Sequence, residues 1–510
     1  SCGGITVPVF ANIATENFLF ECQQTNVQTL FISGPDAWKA YGAHRELFKQ
    51  VIALDAPPEK EKTVTYEDAI QKGSLILTEK PESFDQLLDQ IKENDVATIV
   101  YTSSSTGVPK GVILTHKNIL FSGFTNYENL EETDRLLSFL PLAHIYMRIV
   151  TLISLRWNVG IYFLNDPKVA EKAFHEIKPT ITSLIPRTIE KIYAKMVVKV
   201  NEAGLLKRAI GHWAFNIALD VNFENHLFHT MADKLVYQKL RDAYGGKLRM
   251  ILTGSAPINP TLIHFFNHIG IPLVEGYGLT EMMIIASNTL TDSKISTVGK
   301  PCPEVEVKIS EEGEVLVRSD GVMQGYYKNP EATKEVLDKD GWLHTSDKGA
   351  LDSDGYLALV GRMKDIVKSS TGEWIVPHIL EEELEKAPFV GFALAIAENR
   401  KFVSALIFPD FDVLNALKVS QNLGSISDEE FLKSPYIQRE MDQLIANINA
   451  HHNHWEQIHA YRFVLKHPSI ESGELTPTLK IRRPAIMKKY KKLIDSMYPE
   501  NPEEQMRSVS

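Results

Sequence analysis

Val96-Ala97-Thr98-Ile99-Val100-Tyr101-Thr102-Ser103-Ser104-Ser105-Thr106-Gly107-Val108-Pro109-Lys110-Gly111 sets a β-branched, apolar run directly against a run of hydroxyls and glycines. The first half predicts a buried strand. The small residues then end it before Thr115-His116-Lys117-Asn118 opens a helix, so the cluster reads as a strand-to-loop junction. A loop whose amides and hydroxyls turn inward suits phosphate oxygens, and Lys110 would neutralise their charge. It is not a Walker A loop, because the spacing Gly-x-x-x-x-Gly-Lys-Ser/Thr is missing here. Taken alone, such a run is more often an ordinary Ser-rich turn than a ligand site.

Outward from this stretch the same alternation continues. Upstream, short apolar runs (Ile5 to Phe10, Thr29 to Ile32, Val51 to Leu54) alternate with helical patterns over Glu16 to Gln24 and Ala37 to Lys49. Downstream, Leu248 to Thr253 and Ile271 to Glu275 read as strands around a helix over Thr261 to Ile269. The pattern predicts an α/β sheet. From about Gly299 short alternating strands take over, Val305 to Ile309 and Gly313 to Val317, which predicts a β-rich lobe. From about Gly361 the chain turns Lys-rich and helical and ends in an acidic tail, Tyr498 to Ser510. The expected organisation is a large α/β domain over 1–362, a hinge over 363–368 and a smaller, mobile α+β domain over 369–510.

Composition narrows the function. At about 150 residues per domain, 510 residues suggest roughly three folding units and exclude one small binding module. Lys plus Arg number 54 against 65 Asp plus Glu, a net charge of −11 that argues against a surface built to neutralise nucleic-acid phosphates. With 44% hydrophobic and 23% charged residues the chain is globular rather than disordered. Cys2, Cys22 and Cys302 form neither a disulfide framework nor a thiolate zinc site, which fits a reducing, cytoplasmic setting. Arg148 to Leu164 is interrupted by Arg156 and Asn158 and falls short of the ~20 apolar residues of a membrane span. The chain opens at Ser1 without a basic n-region, so Ser1 reads as an internal start.

The opening stretch does not stand alone. Tyr101 to Val112 resembles the phosphate-loop signature of the AMP-forming, acyl-adenylating superfamily, which includes acyl-CoA synthetases, luciferases and peptide-synthetase adenylation domains. Pro141-Leu142-Ala143-His144-Ile145-Tyr146-Met147-Arg148 and Glu275-Gly276-Tyr277-Gly278-Leu279-Thr280-Glu281 resemble its next two blocks. Asp340 to Asp347, leading to Gly361-Arg362-Met363-Lys364-Asp365, resembles the fatty-acyl signature. Leu475-Thr476-Pro477-Thr478-Leu479-Lys480-Ile481-Arg482-Arg483 resembles the terminal lysine motif of long-chain acyl-CoA synthetases. The resemblance implies a two-step reaction: a carboxylate attacks the α-phosphate of ATP, releasing pyrophosphate, and a thiol then displaces AMP. Its implied partners are a fatty acid, ATP, Mg²⁺ and CoA, with no nucleic acid, in a cytoplasmic protein that could touch a membrane peripherally.

The resemblance also implies roles. The loop Thr102, Ser103, Ser104, Ser105, Thr106, Gly107 and Lys110 would hold phosphates. Tyr277 would stack on adenine, with Glu275, Gly276 and Gly278 beside its edge; taken alone it reads as a core tyrosine. Gly254, Ser255 and Ala256 resemble a small-residue wall that admits the nucleotide. Thr280 resembles the α-phosphate donor, and Glu281 with Thr102 the Mg²⁺ site, since a hard cation seeks oxygen. Asp347 would accept from the ribose hydroxyls, and Arg362 is the matching donor on the far side. Lys480 would bridge carboxylate and α-phosphate. His144 resembles a gate between the acyl pocket and the carboxylate site, with a satisfied core histidine as the bland alternative. Lys364 occupies the hinge position, and Lys368 and Trp374 adjoin it and would touch nucleotide or CoA.

Three departures from the family pattern stand out. Ser104 and Ser346 replace usual glycines, adding a Cβ where a positive φ would make it costly. Gly3 to Phe10 resembles a strand that relatives reach only after several earlier elements, so the chain looks N-terminally shortened. Two rivals to CoA ligation remain. One is an acyl-AMP ligase feeding a carrier protein, which the 59 residues between Glu281 and Gly341 disfavour by leaving little room for an extra module. The other is an inactive adenylate-binding scaffold, against which Thr280, Glu281, Asp347, Arg362 and Lys480 all speak.

Overall fold

The computed structural model describes residues 3–11, 13–55, 63–102, 108–124, 130–421, 423–469, 472–476 and 481–498, and the elements below are those of the described residues. Contacts divide the chain into two compact units, 1–345 with 349–359 and 346–348 with 360–510.

In the first unit Thr29–Ile32 (β1), Gln50–Ala53 (β2) and Thr63–Thr65 (β3) form a small parallel sheet. The expected helix over Ala37 to Lys49 is instead a helix over Pro35–Tyr41 and a 3-10 turn over Gly42–Leu47, a change of winding at the residue with the weakest helical preference short of proline. The expected strand Ile5 to Phe10 reduces to a single bridge, Thr6 to Thr98. Pro8, which has no N–H to give to a ladder, interrupts that run.

Val96–Thr102 (β4) is followed by Lys110–Thr115 (β5), paired antiparallel with Thr102 opposite Lys110. The hydroxyl-rich segment therefore connects two strands before the helix His116–Phe124 begins, and β5 is an element the sequence reading passed over. Its Val112 and Leu114 are fully buried. The Asn118 side chain accepts from the Thr115 amide at 2.8 Å and fixes the strand-to-helix corner.

The main sheet comprises Arg135–Ser138 (β6), Gly160–Phe163 (β7), Ile181–Leu184 (β8), Met250–Gly254 (β9), Leu273–Tyr277 (β10), Ala286–Ser287 (β11) and Lys300–Pro301 (β12). Its order is β12-β11-β10-β9-β8-β6-β7, with β6 to β10 parallel and β11 and β12 antiparallel at one edge. The expected helix after β9 spans Pro260–His268. Pro260 suits its first turn, and Asn259 caps it by accepting from the Thr261 amide at 2.9 Å. The β-rich lobe contains Glu306–Ile309 (β13) and Glu314–Arg318 (β14); Gly325–Tyr326 (β15) leaves it to pair with β5. Leu343–Leu351 (β16) and Leu357–Arg362 (β17) complete a sheet of order β13-β14-β16-β17.

The second unit holds the short hairpin Val367–Lys368 (β18) and Trp374–Ile375 (β19) and the sheet Val390–Ile396 (β20), Val403–Pro409 (β21) and Ile458–Phe463 (β22). Alternate residues serve opposite faces. Ala393, Ala395, Ala405 and Ile407 pack with Leu380, Leu384 and Met441, whereas Leu394, Ile396, Leu406 and Phe408 pack with Ile486, Ile494 and Met497. Helices thus cover both faces, which is why every residue of β21 is buried. Among the described residues no helix is long and apolar enough to cross a membrane.

Candidate active site

The parallel strands β9 and β10 end side by side, Thr253 opposite Glu275 and Gly254 opposite Gly276. Gly254-Ser255-Ala256 and Glu275-Gly276-Tyr277-Gly278 therefore meet at the carboxyl edge of the sheet, where open α/β sheets take ligands. The glycines here serve backbone packing. A Cβ on Gly254 would stand 2.6 Å from the Gly276 carbonyl oxygen, and one on Gly278 would stand 2.1 Å from that of Met283. Ser255 lies at φ +68, a left-handed conformation that costs a residue with a Cβ roughly 1–2 kcal/mol. Glu275 and Tyr277 are buried, and Tyr277 belongs to the core that includes Met282 and Tyr326.

Thr280 and Glu281 occupy the tip of the β10–β11 hairpin. Leu279 and Met282 exchange backbone hydrogen bonds of 2.9 and 3.3 Å, closing a tight turn whose two central residues are this pair. The Ile285 amide returns to the Tyr277 carbonyl at 2.8 Å, so the tip is carried on a paired stem.

Thr102 ends β4 and Lys110 begins β5 directly opposite it. Ser103, Ser104, Ser105, Thr106 and Gly107 lie outside the described residues. Lys110 Nζ sits 5.0 Å from the centroid of the Tyr326 ring, and the Tyr326 hydroxyl donates to Glu281 Oε1 at 2.7 Å. One buried tyrosine thus joins the lysine of the loop to the carboxylate of the hairpin tip. Sequence reasoning missed it, because a single tyrosine after a β-strand pattern reads as core.

His144 is the N-cap of the helix Ile145–Arg156, its Nδ1 accepting from the Tyr146 amide at 3.1 Å. The ring proton of the neutral imidazole is then on Nε2, and Phe10 meets the ring edge-on at 6.4 Å. One helical turn later, Arg148 is lowered in pKa by burial and donates to Thr98 on β4 at 3.0 Å, tying the helix to the strand that feeds the loop.

In the second unit Arg362 Nε lies 3.2 Å from Asp347 Oδ1; Asp347 is buried and Arg362 exposed. The two residues expected on opposite sides of a ribose are paired with each other here. Ser346 stands at φ +58, so the strain expected of this serine is present. Replacing Ser346 with Gly removes roughly 1–2 kcal/mol of left-handed strain and adds back about 0.5–1 kcal/mol of unfolded-chain entropy. The expected net result is a gain of about 0.5–1 kcal/mol in urea unfolding, with activity raised or unchanged. A loss of stability would mean that the bonds of the serine itself outweigh the strain. Lys364 lies in the 3-10 turn Met363–Asp365. Lys368 and Trp374 face each other across the β18–β19 hairpin, the ammonium 5.5 Å from the ring of a Trp that is 63% exposed. Lys480 lies outside the described residues, between Leu475 and Ile481, which form an antiparallel bridge.

The donor set fits a hard divalent cation that shares its shell with phosphates. Among the described residues no group of three His, Cys, Asp or Glu side chains could cage a metal. Glu281, held at one oxygen by Tyr326, and the hydroxyl of Thr102 are oxygen donors of the kind that Mg²⁺ accepts when phosphates and water complete its octahedron.

Comparison with known proteins identifies the family and the fold. The family described as AMP-binding enzyme matches residues 1–327, and the AMP-binding enzyme C-terminal domain matches residues 364–502. The long-chain-fatty-acid–CoA ligase FadD15 of Mycobacterium bovis is 31% identical over 97% of this chain and 84% of its own. The peroxisomal long chain acyl-CoA synthetase 6 of Arabidopsis thaliana is 30% identical over 97% of this chain and 74% of its own. The adenylation domain of a carboxylate reductase from Mycobacterium chelonae superposes with a TM-score of 0.72 at 18% identity, covering 97% of this chain and 76% of that one, which establishes the shared fold.

Proposed function

Since the chain belongs to the AMP-binding enzymes, we propose that it is an AMP-forming fatty acid–CoA ligase acting on long-chain acids. In the first half-reaction a carboxylate oxygen bonds to the α-phosphorus of ATP while the bond to the pyrophosphate oxygen breaks. In the second the CoA sulfur bonds to the acyl carbonyl carbon while AMP leaves and the thiol proton is released. The observation that supports the first half best is the contact from Lys110 through Tyr326 to Glu281, which sets a phosphate-seeking cation and a metal-seeking carboxylate on one side chain. The long-chain substrate class rests on the likeness to FadD15.

In this reading Thr280 donates to the α-phosphate at the tip of its hairpin, and Lys480 offsets charge building between carboxylate and phosphate. Lys110 and the hydroxyls of 102–107 hold the departing phosphates. Glu281 and Thr102 hold Mg²⁺, which when bound supplies positive charge to the leaving pyrophosphate. Asp347 accepts from the ribose hydroxyls and Arg362 donates beside it. The region 363–368 is the hinge, and Lys368 and Trp374 lie on an exposed hairpin suited to nucleotide or CoA. His144, the N-cap of its helix, takes the gating role.

Pyrophosphate and AMP release across a fatty-acid panel, with and without CoA, tests the proposal. AMP, pyrophosphate and acyl-CoA are expected with long-chain acids. ADP as product would sink it; acyl-AMP that passes only to a carrier protein would make it the carrier-loading ligase, and ATP binding without turnover would make it a scaffold.

A further inference from the structure

Tyr326 lies in none of the five stretches that carry the family resemblance, yet it is held from several directions. Its strand β15 lies against β5, Tyr326 opposite Val112 and Gly325 opposite Ile113. The Tyr327 amide donates to the Gly111 carbonyl at 2.7 Å and the Gln324 amide to that of Ile113 at 3.1 Å, so β15 is laced to the strand that leaves the hydroxyl-rich loop. The Tyr326 amide donates to Thr333 Oγ1 at 2.9 Å, and Thr333 sits in the helix Pro330–Val336. The main chain of Tyr326 is therefore anchored to two elements, and its side chain is 8% exposed within the core.

From that fixed base the side chain reaches two groups of opposite charge. The hydroxyl donates to Glu281 Oε1 at 2.7 Å, and the Glu281 amide region is itself secured, its carbonyl accepting from the Met323 amide at 2.8 Å. The ring face carries the Lys110 ammonium at 5.0 Å, within cation–π range. A carboxylate that accepts from a phenol keeps one oxygen committed and the other set in direction, and a lysine seated on a ring gives up much of its rotamer freedom. Both effects hold a metal ligand and a phosphate cation at a constant spacing before substrate arrives.

We propose that Tyr326 is a positioning residue of the adenylation half-reaction, orienting Glu281 toward the divalent cation and Lys110 toward the phosphates. This rests on the functional reading above and adds to it a residue that acts through two others. Hydrogen-bonding partners of metal ligands typically change metal affinity by ~10–100-fold when removed. Tyr326→Phe keeps the ring and the core volume and deletes the hydroxyl alone.

Mn²⁺, followed by its electron paramagnetic resonance signal, is titrated onto the full chain in the presence of α,β-methylene-ATP. Tyr326→Phe is expected to weaken Mn²⁺ binding by ~10-fold or more, to shift the Mg²⁺ concentration for half-maximal pyrophosphate exchange by the same factor, and to leave the melting temperature within a few degrees of the parent. Placed on Glu281→Gln, the same change is expected to add less than about twofold, because its route to the metal is gone. Mn²⁺ affinity within about twofold of the parent overturns the proposal. So does a full ~10-fold effect in the Glu281→Gln background, or a Tyr326→Phe chain that fails to fold, since either makes the tyrosine a packing residue. Should the parent chain bind no Mn²⁺ with the nucleotide analogue, the functional reading itself fails and this inference falls with it.

Discussion

Gly278→Ala lowers the rate of acyl-adenylate formation by about 10²-fold or more while leaving a folded protein. The methyl group would stand 2.1 Å from the Met283 carbonyl oxygen, 2.8 Å from its carbon and 3.1 Å from Ile284 Cα, all backbone atoms that cannot rotate aside. Restoring ordinary contact opens the base of the β10–β11 hairpin by more than about 1 Å. Thr280 and Glu281 ride on that hairpin, and a displacement of ~1 Å from a productive geometry is enough for a loss of this size. Overpacking of this kind costs about 1–3 kcal/mol, which a two-unit chain with separate cores survives. Gly73→Ala is the control. Nothing lies within 4 Å of its Cβ, and in the helix Tyr66–Glu79 alanine is the better residue by about 0.5–1 kcal/mol. Pyrophosphate exchange with thermal unfolding of both variants decides the matter. Exchange by Gly278→Ala within about threefold of the parent would show that the hairpin tip does not position the reacting phosphate.

That glycine marks where the sequence was readable and where it was not. Strands β4, β9 and β10 and the helix Pro260–His268 follow from runs of β-branched residues and from Asn259 and Pro260, signals carried by neighbours in the chain. The motif that contains Gly278 was equally plain. Why it must be glycine was not, because its obstacle, Met283, comes into contact only once the hairpin closes. The same holds for Tyr326, which meets Glu281 across 45 residues, and for Asp347 and Arg362, whose ion pair needs β16 and β17 brought together. Strand β5 was overlooked because six residues between a Ser-rich loop and a helix give too short a window for periodicity to show. His144 was weighed as gate or core, and its capping bond belongs to neither, since histidine is outside the usual set of N-cap residues. For Ser346 the signal came from the resemblance: relatives keep glycine there, a positive φ would make a serine costly, and φ is +58.

Lys480→Ala is expected to abolish adenylation and spare thioester formation. The alanine removes a cation from the charge that develops between carboxylate and α-phosphate, a loss comparable to that of one preorganised donor, about 10²–10³ in rate. Collapse of the fold is not the cause, because the described residues on either side of Lys480 are anchored independently of it. Leu475 and Ile481 form their bridge, Glu474 is buried against Lys489 at 2.8 Å, and Arg483 donates to the Ala395 carbonyl at 2.6 Å. Supplied with preformed acyl-AMP and CoA, the variant should therefore make thioester at the parent rate, since in the proposed mechanism Lys480 serves adenylation alone and the hinge at 363–368 acts between the two half-reactions. Lys364→Pro should do the reverse. Its backbone lies in a 3-10 turn, where φ runs from about −50 to −70°, so a proline locked near −65° suits the turn as it stands and opposes any change in it. Acyl-AMP should form and accumulate while acyl-CoA does not. Rapid-quench measurement of both half-reactions with both variants separates the cases. Equal slowing of the two steps by Lys480→Ala, or two intact steps in Lys364→Pro, would mean that one arrangement of the units serves both chemistries and that 363–368 is a connector and no hinge.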